Sequence, residues 1–145
     1  MNDPRAYPDR PFLAVSAAII RDGRFLIVRR AMPPAEGLYT LPGGVVEGGE
    51  TLEEAVCREV REETALDIAP VALAGYREAI VRDEAGRIKR HFVILPFACR
   101  WLGGEPALNG ELAEARWIEP SGLDGLRTTE GLAGIVQAAF AIAAG

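Results

Sequence analysis

Three glutamates near the end of one predicted helix have the residue type and spacing of a cation-binding site. Residues 51–63 are predicted to form this helix, because the segment opens with the Thr-x-x-Glu pattern of a capping box. On a helical wheel of about 100° per residue, Glu59 and Glu63 fall inside the apolar arc that should face the core, and Glu62 falls at its edge. The apolar members of this arc are Leu52, Ala55, Val56 and Val60, and the charged residues that point away from it are Glu54, Arg58 and Arg61.

The usual interpretation of a Glu-rich helix is a solvated acidic face, and this helix fits that interpretation poorly. Glu59 and Glu63 are one turn apart, where like charges repel, and they share the stripe that should be buried. Burying an unpaired charge is costly, and no basic residue lies in the stripe. Carboxylate oxygens are the ligands that Mg²⁺ prefers, so the pattern predicts a metal-binding face.

A glycine-rich segment leads into this helix. It reads Pro42-Gly43-Gly44-Val45-Val46-Glu47-Gly48-Gly49-Glu50. Glycines permit close backbone approach and unusual dihedral angles, and a Gly-rich turn before a helix N-terminus is a weak signal for phosphate binding. A tight connector is the alternative, and the sequence leaves both interpretations open.

The residues from Gly44 to Leu66 resemble the Nudix box, the signature of the Nudix hydrolase family. The family pattern is Gly-x5-Glu-x7-Arg-Glu-U-x-Glu-Glu-x-Gly-U, where U is aliphatic. This chain has Gly44 and Glu50 and continues as Arg58-Glu59-Val60-Arg61-Glu62-Glu63-Thr64-Ala65-Leu66. Ala65 stands where the family usually has Gly. Because a left-handed residue is common after a helix, Ala65 is expected to cost about 1 kcal/mol if the dihedral is kept.

The resemblance implies the ligands of the metal and the contacts of the substrate. Glu59 and Glu63 would be the main metal ligands, Glu62 would be a further ligand, and the carbonyl of Gly43 would also face the metal. Arg29 and Arg30 end a predicted strand where related enzymes place a basic residue for phosphate, although ordinary surface charge is an equal alternative. The residues expected on the substrate side are Arg30, Gly44 and Glu50.

The resemblance also implies residues that act in catalysis. Arg58 would pair with Glu50 or Glu59 and so hold the ligand helix to the preceding loop. Glu59 is one candidate general base. Family members often carry another glutamate in a loop before a Trp-containing strand, and here either Glu111 or Glu114 takes that place. Each of these two glutamates also fits a solvated loop position.

The predicted elements are a mixture of strands with two helices. Strands are predicted at 13–20, 24–30, 39–41, 70–81, 88–101 and 115–118, a second helix at 129–144, and loops at 31–37 and 105–114. Asp22-Gly23 and the 83–86 segment are predicted turns. This order predicts a sheet with helices on both faces, and the resemblance implies an α/β/α sandwich with a mixed central sheet. We expect a flexible N-terminal segment at 1–10 and a single domain at 11–145.

Composition and charge narrow the classes of partner. The chain has 145 residues with a net charge of −5, and it has no basic stripe of the kind that binds a nucleic-acid duplex, so nucleic acid is an unexpected partner. No apolar run reaches the roughly 18 residues of a membrane span. Cys57 and Cys99 lie in apolar patterns and are expected to be reduced, buried thiols of a cytoplasmic protein. A homodimer is compatible with the resemblance.

The resemblance implies Mg²⁺-dependent hydrolysis, with Mn²⁺ as a second suitable ion, of the pyrophosphate bond in a nucleoside diphosphate linked to another group. ADP-ribose, or a similar sugar or dinucleoside diphosphate, is slightly favoured. The alternatives are a MutT-like nucleoside triphosphate pyrophosphohydrolase, an enzyme acting on RNA 5′ ends, and a nucleotide-binding module without turnover. The intact Glu59, Glu62 and Glu63 argue against the last of these.

Overall fold

In the computed structural model, residues 3–33 and 35–145 are described. Residues 1 and 2 of the predicted N-terminal segment and Pro34 of the predicted 31–37 loop lie outside them. The strands are β1 (Phe12–Arg21), β2 (Arg24–Arg30), β3 (Tyr39–Thr40), β4 (Gly43–Val45), β5 (Asp67–Leu73), β6 (Arg77–Arg82), β7 (Ile88–Gly103) and β8 (Leu112–Ile118). The helices are α1 (Leu52–Thr64) and α2 (Leu132–Ala144).

The strands form one mixed sheet with β1 and β7 at its centre. These two strands run parallel, in register from Phe12 opposite Phe92 to Ile20 opposite Arg100. The other pairings between the described strands are antiparallel: β3 and β8 pair with β2, β2 and β4 pair with β1, and β5 and β6 pair with β7. The main path of the sheet is β3-β2-β1-β7-β5.

Both faces of the central strands are buried, and each face has its own helix. In β1, Val15 and Ala17 belong to the core that contains α1, whereas Ala18 belongs to the core that contains α2. Successive side chains of a strand point to opposite faces of the sheet, so a continuous apolar run supplies both cores. The prediction of an α/β/α sandwich with a mixed sheet is therefore confirmed.

Several predicted boundaries are wrong, and the predicted 70–81 strand is the clearest case. It is two strands, β5 and β6, which pair with successive halves of the long strand β7. The break contains Gly75, whose φ of 128° lies in a region that favours glycine. A glycine inside a strand pattern often marks such an interruption, so the sequence carried this signal.

Three further differences arise from pairing between distant segments. The strand β4 lies in the glycine-rich segment, where no strand was predicted, and it pairs with residues 14–16 of β1. The strand β8 begins at Leu112 rather than at Ala115, because Leu112 pairs with Arg30. The helix α2 begins at Leu132 rather than at Thr129, because its N-cap Gly131 has a φ of 79°, outside the helical region, while the N–H of Thr129 donates to the carbonyl of Tyr39 (3.0 Å).

The N-terminal residues that the structure describes contact the β6–β7 hairpin. The N–H of Tyr7 donates to the carbonyl of Lys89 (2.8 Å), and Arg90 forms an ion pair with Asp3 (2.9 Å). Both cysteines are free thiols; Cys99 is buried and Cys57 is half-buried. Neither α1 nor α2 has the length and apolar character that a membrane-crossing helix needs.

Candidate active site

The helix α1 is fixed at both ends by local hydrogen bonds. Thr51 is its N-cap: the Thr51 hydroxyl accepts from the N–H of Glu54 (3.1 Å), and the Glu54 carboxylate accepts from the N–H of Thr51 (2.9 Å). The predicted capping box is therefore present. At the other end Ala65 adopts the left-handed conformation with φ of 63°, as expected for a position where the family pattern has glycine. These ends set which face of α1 meets the sheet.

Glu63 is the most deeply buried charged residue of the predicted site. Only 2% of it is exposed, and its Oε1 accepts a hydrogen bond from the N–H of Gly43 at 2.8 Å. The pKa of Glu63 is raised to about 8, chiefly by burial and also by the neighbouring Glu111 and Glu59 carboxylates, while the Gly43 hydrogen bond acts in the opposite direction. The sequence prediction that Glu63 occupies an apolar position is confirmed.

Glu59 packs against the glycine loop. A Cβ atom at Gly44 would collide with the Glu59 carboxylate, so the absence of a side chain at Gly44 makes room for that carboxylate. Glu59 Oε1 accepts a hydrogen bond from Nη1 of Arg58 at 2.9 Å. Burial nevertheless raises the pKa of Glu59, with further contributions from Glu62 and Glu111.

Arg58 joins the helix to the glycine loop. Its Nε and Nη2 donate to the two carboxylate oxygens of Glu50 at 2.6 and 2.8 Å, and Nη2 also donates to the carbonyl of Val45 at 3.1 Å. A bidentate pair of this kind is strong and directional. The Arg58 hydrogen bond is the main cause that lowers the pKa of Glu50 to about 2. Arg58 thus pairs with both Glu50 and Glu59.

Glu62 lies at the rim of this cluster. Its side chain is 56% exposed, and one carboxylate oxygen accepts from Nη1 of Arg58 at 3.3 Å. This position agrees with the edge of the apolar arc on the helical wheel.

Glu111 and Glu114, which the sequence left as alternatives, lie in different surroundings. The backbone carbonyl of Glu111 accepts from the N–H of Ala31 (2.9 Å), and this contact holds the loop so that the Glu111 charge raises the pKa of both Glu59 and Glu63. The structure therefore brings Glu111, but not Glu114, to the buried carboxylates.

Glu114 belongs to a separate cluster on the α2 side of the sheet. Its Oε2 accepts from the Tyr39 hydroxyl at 2.9 Å and from Nε of Arg29 at 3.2 Å, and its Oε1 pairs with Arg116. These contacts, with the Tyr39 hydrogen bond first, lower the pKa of Glu114. Sequence analysis missed this cluster, because it depends on the register that sets Arg29 opposite Glu114.

The two arginines at the end of β2 also separate. Leu26 and Val28 pack in the α1 core, so alternation along the strand puts Arg30 on the α1 side with the carboxylates and Arg29 on the α2 side. Arg30 pairs in register with Leu112, the residue after Glu111.

The first two glycines of the glycine-rich segment, Gly43 and Gly44, are closely packed and hold the carboxylates. A Cβ at Gly43 would collide with the backbone of Val15 in β1, and the N–H of Gly43 is used by Glu63. The first turn of α1 carries Glu53 and Glu54, and acidic residues there compete with a bound phosphate for the helix N-terminus.

The donor set fits a hard divalent cation. The charges of Glu59 and Glu111 both act on Glu63, and Arg58 is the basic residue that bonds directly to Glu59. Carboxylate oxygen ligands suit Mg²⁺, and a cation would remove the repulsion that raises the pKa values of Glu59 and Glu63. Among the described residues, no three acidic, His or Cys side chains are already close enough to bind one metal ion. The carboxylates of this cluster would therefore have to move closer to one another when a cation binds.

Comparison with known proteins identifies the family. Residues 10–137 match the NUDIX domain. The chain is 36% identical over 113 residues to a Methanocaldococcus jannaschii protein named ADP-ribose pyrophosphatase, covering 78% of this chain and 64% of that protein. It is 35% identical over 123 residues to a MutT-like protein of Streptomyces ambofaciens, covering 83% of this chain and 73% of that protein. The chain belongs to the Nudix hydrolase family.

The solved structures agree with this assignment. A MutT NUDIX hydrolase from Burkholderia pseudomallei matches with a TM-score of 0.75 and 27% identity, covering 90% of this chain and 98% of that chain. An ADP-ribose pyrophosphatase from Streptococcus suis matches with a TM-score of 0.65 and 26% identity, covering 94% of each chain. Neither name by itself selects a substrate for this chain.

Proposed function

We propose that this protein is a Mg²⁺-dependent pyrophosphohydrolase that cleaves a nucleoside diphosphate linked to another group, with ADP-ribose or a similar sugar or dinucleoside diphosphate favoured. The observation that carries the proposal is the group of buried carboxylates Glu59 and Glu63 beside Glu111, whose mutual repulsion and burial raise the pKa values of the first two. Such perturbed groups cluster at functional sites. Mn²⁺ should also support the reaction.

Glu59 and Glu63 are the proposed main metal ligands, with Glu62 at the exposed rim as a further ligand and the carbonyl of Gly43 beside them. When bound, a divalent cation would neutralise charge on the pyrophosphate oxygens. The hydrogen bond from Gly43 holds one oxygen of Glu63 in place. Arg58 keeps Glu59 against the loop through its bonds to Glu50.

The proton of the attacking water needs an acceptor within hydrogen-bond reach. We assign this role to Glu111, because its side chain is exposed and lies beside Glu63. Glu59 is the other candidate, but Arg58 already occupies one of its oxygens. Glu114 is a weaker candidate, since Tyr39 and the nearby arginines engage both of its oxygens and lower its pKa.

Arg30 and Gly44 are the proposed contacts on the phosphate side. Strand alternation puts Arg30 on the same face as Glu59, and the absence of a side chain at Gly44 lets the backbone approach the Glu59 carboxylate closely. Glu50 acts through Arg58 as a positioning residue rather than by touching the substrate.

The assignment of the carboxylates is tested with matched variants. Glu59→Gln should lower the Mg²⁺-dependent kcat by about 10²–10⁴-fold, the range typical of removing one acid–base or ligand group. Glu111→Gln should lower kcat and change its pH profile, while Glu114→Gln should leave that profile unchanged. Unaltered nucleotide hydrolysis by Glu59→Gln would remove the basis of the proposal.

The favoured substrate rests on the relative named ADP-ribose pyrophosphatase, which is 36% identical. A MutT-like activity on nucleoside triphosphates is the second candidate, because a relative of that name is 35% identical. Phosphate release should be compared for ADP-ribose, NAD, dinucleoside polyphosphates and ordinary and oxidised nucleoside triphosphates, with and without a coupled phosphatase. Release that requires the phosphatase with ADP-ribose indicates monophosphate products, whereas pyrophosphate from a triphosphate favours the second candidate.

A further inference from the structure

An arginine on the α2 side of the sheet is half-buried, and one of its nitrogens is buried without a hydrogen-bond partner. Arg77 begins β6 and pairs in register with Ile94 of β7. Its Nε is fully buried and has no hydrogen-bond acceptor, and no described residue forms an ion pair with its guanidinium. Burial lowers the pKa of Arg77, while the more distant charge of Glu130 acts in the opposite direction.

Two other half-buried arginines, Arg90 and Arg58, are paired. Arg90, with 13% of its side chain exposed, pairs with Asp3 at 2.9 Å, and Arg58 pairs with Glu50. Buried charges are normally retained only with a partner, because an isolated one loses its hydration without compensation. Arg77 therefore lacks a paired counter-ion that would compensate for the hydration its charge has lost.

A cavity of about 250 Å³ lies at this arginine. Its lining residues are Tyr76, Arg77, Glu78, Glu130, Gly131 and Ile135. Since a water molecule takes up about 30 Å³ of liquid, the cavity has room for a phosphate-sized group and some water. Gly131 is the N-cap of α2 and supplies no side-chain cap, so the positive end of that helix dipole adds to the Arg77 charge.

We propose that this cavity binds an oxyanion, a phosphate or a carboxylate, at a site separate from the carboxylate cluster. The ligand would provide the counter-charge that Arg77 lacks. Glu78 and Glu130, which are exposed and also line the cavity, oppose an anion through their charges, so they limit the affinity. The site lies on the α2 side, whereas Glu59 and Glu63 lie on α1.

Binding is measured with inorganic phosphate on the full chain, with a chelator present and ionic strength held constant with NaCl. Under these conditions the carboxylate cluster has no metal and repels the probe, so the result does not depend on catalysis. The readout is the Nε–H resonance of Arg77 in ¹⁵N-correlated NMR spectra, assigned by its loss in Arg77→Met. Saturable displacement of this resonance by millimolar phosphate is expected.

Two variants with opposite expected effects on phosphate affinity test the proposal further. Arg77→Met should weaken phosphate binding at least about ten-fold, the equivalent of losing one charged hydrogen bond. Glu130→Gln should tighten it roughly two- to five-fold, as expected for removing one exposed charge. Arg82→Met, a matched exposed arginine on the same strand, should leave it unchanged. If Arg77→Met does not fold, phosphate binding by Glu130→Gln still tests the proposal, since this substitution changes only an exposed side chain.

The KM values for two substrates distinguish an oxyanion that is part of the substrate from a free oxyanion. If the group belongs to the substrate, Arg77→Met should raise KM for ADP-ribose bearing an extra 2′-phosphate and not for ADP-ribose itself. If the oxyanion is free, both KM values should stay unchanged while phosphate binding is lost. Absence of a saturable response in the wild type, or equal phosphate binding by wild type and Arg77→Met, would overturn the proposal.

Discussion

Replacing Glu63 by Gln should stabilise the metal-free protein by an amount that grows with pH. Glu63 is buried, and its pKa is raised from the ordinary value of 4.5 to about 8, chiefly by burial. The substitution keeps an oxygen that can accept the Gly43 hydrogen bond, and it removes only the charge. The unfolded chain has no such burial, so its carboxyl group titrates near 4.5.

The sign follows from proton linkage. Below pH 4.5 the Glu63 carboxyl is neutral in both states and contributes nothing. Between pH 4.5 and about 8 the folded chain keeps a proton that the unfolded chain has released, so the free energy of unfolding falls by up to about 1.4 kcal/mol per pH unit. The two pKa values set an upper limit of about 5 kcal/mol on the total loss. For a chain of this length, each kcal/mol corresponds to roughly 2–4 °C in Tm.

The assay is thermal or urea unfolding of wild type and Glu63→Gln between pH 5 and 8 in the presence of a chelator. The stability difference should widen with pH in favour of Glu63→Gln. Glu62→Gln, an exposed neighbour on the same helix, serves as the control and should follow wild type. Added Mg²⁺ should stabilise wild type more at pH 8 than at pH 6, because the cation binds the deprotonated carboxylate. Parallel curves for wild type and Glu63→Gln across this range would refute the reasoning.

Further predictions concern the geometry around the cluster. Gly44→Ala should destabilise the protein by about 1–3 kcal/mol and sharply lower the Mg²⁺-dependent kcat, because the new methyl group displaces the Glu59 carboxylate. Gly48→Ala is the control, since no atom lies within 4 Å of the added Cβ there. Equal effects of the two substitutions would contradict the packing argument. Arg58→Lys should lower the urea midpoint by the equivalent of about 1–3 kcal/mol, since a lysine cannot make the bidentate bond; an unchanged midpoint would show that the bond adds nothing. Ala65→Gly should raise stability by roughly 0.5–1 kcal/mol in the same assay, because Ala65 has φ of 63°; a loss of stability would mean that the Ala65 side chain contributes more than its dihedral costs.

Local patterns in the sequence were enough to predict the carboxylate helix. The capping box, the apolar arc and the position of Glu63 inside it are properties of neighbouring residues along one helix, and each was found in the structure. The apolar run at 13–20 likewise predicted the strand β1, which the structure buries on both faces. These features depend on helix and strand periodicity, which is fixed by the backbone itself.

Tertiary structure decided which distant residues meet that helix. Glu111 and Glu114 are equivalent in the sequence, and only the pairing of β2 with β8 sends one toward Glu63 and the other toward Tyr39. A strand register is set by contacts between segments far apart in the chain, so no local pattern could separate the two. The same holds for Arg77, whose missing partner is visible only once β6 and α2 have packed. The sequence by itself was enough to predict the carboxylate face and a cation beside it, and the fold determined which further charges surround it.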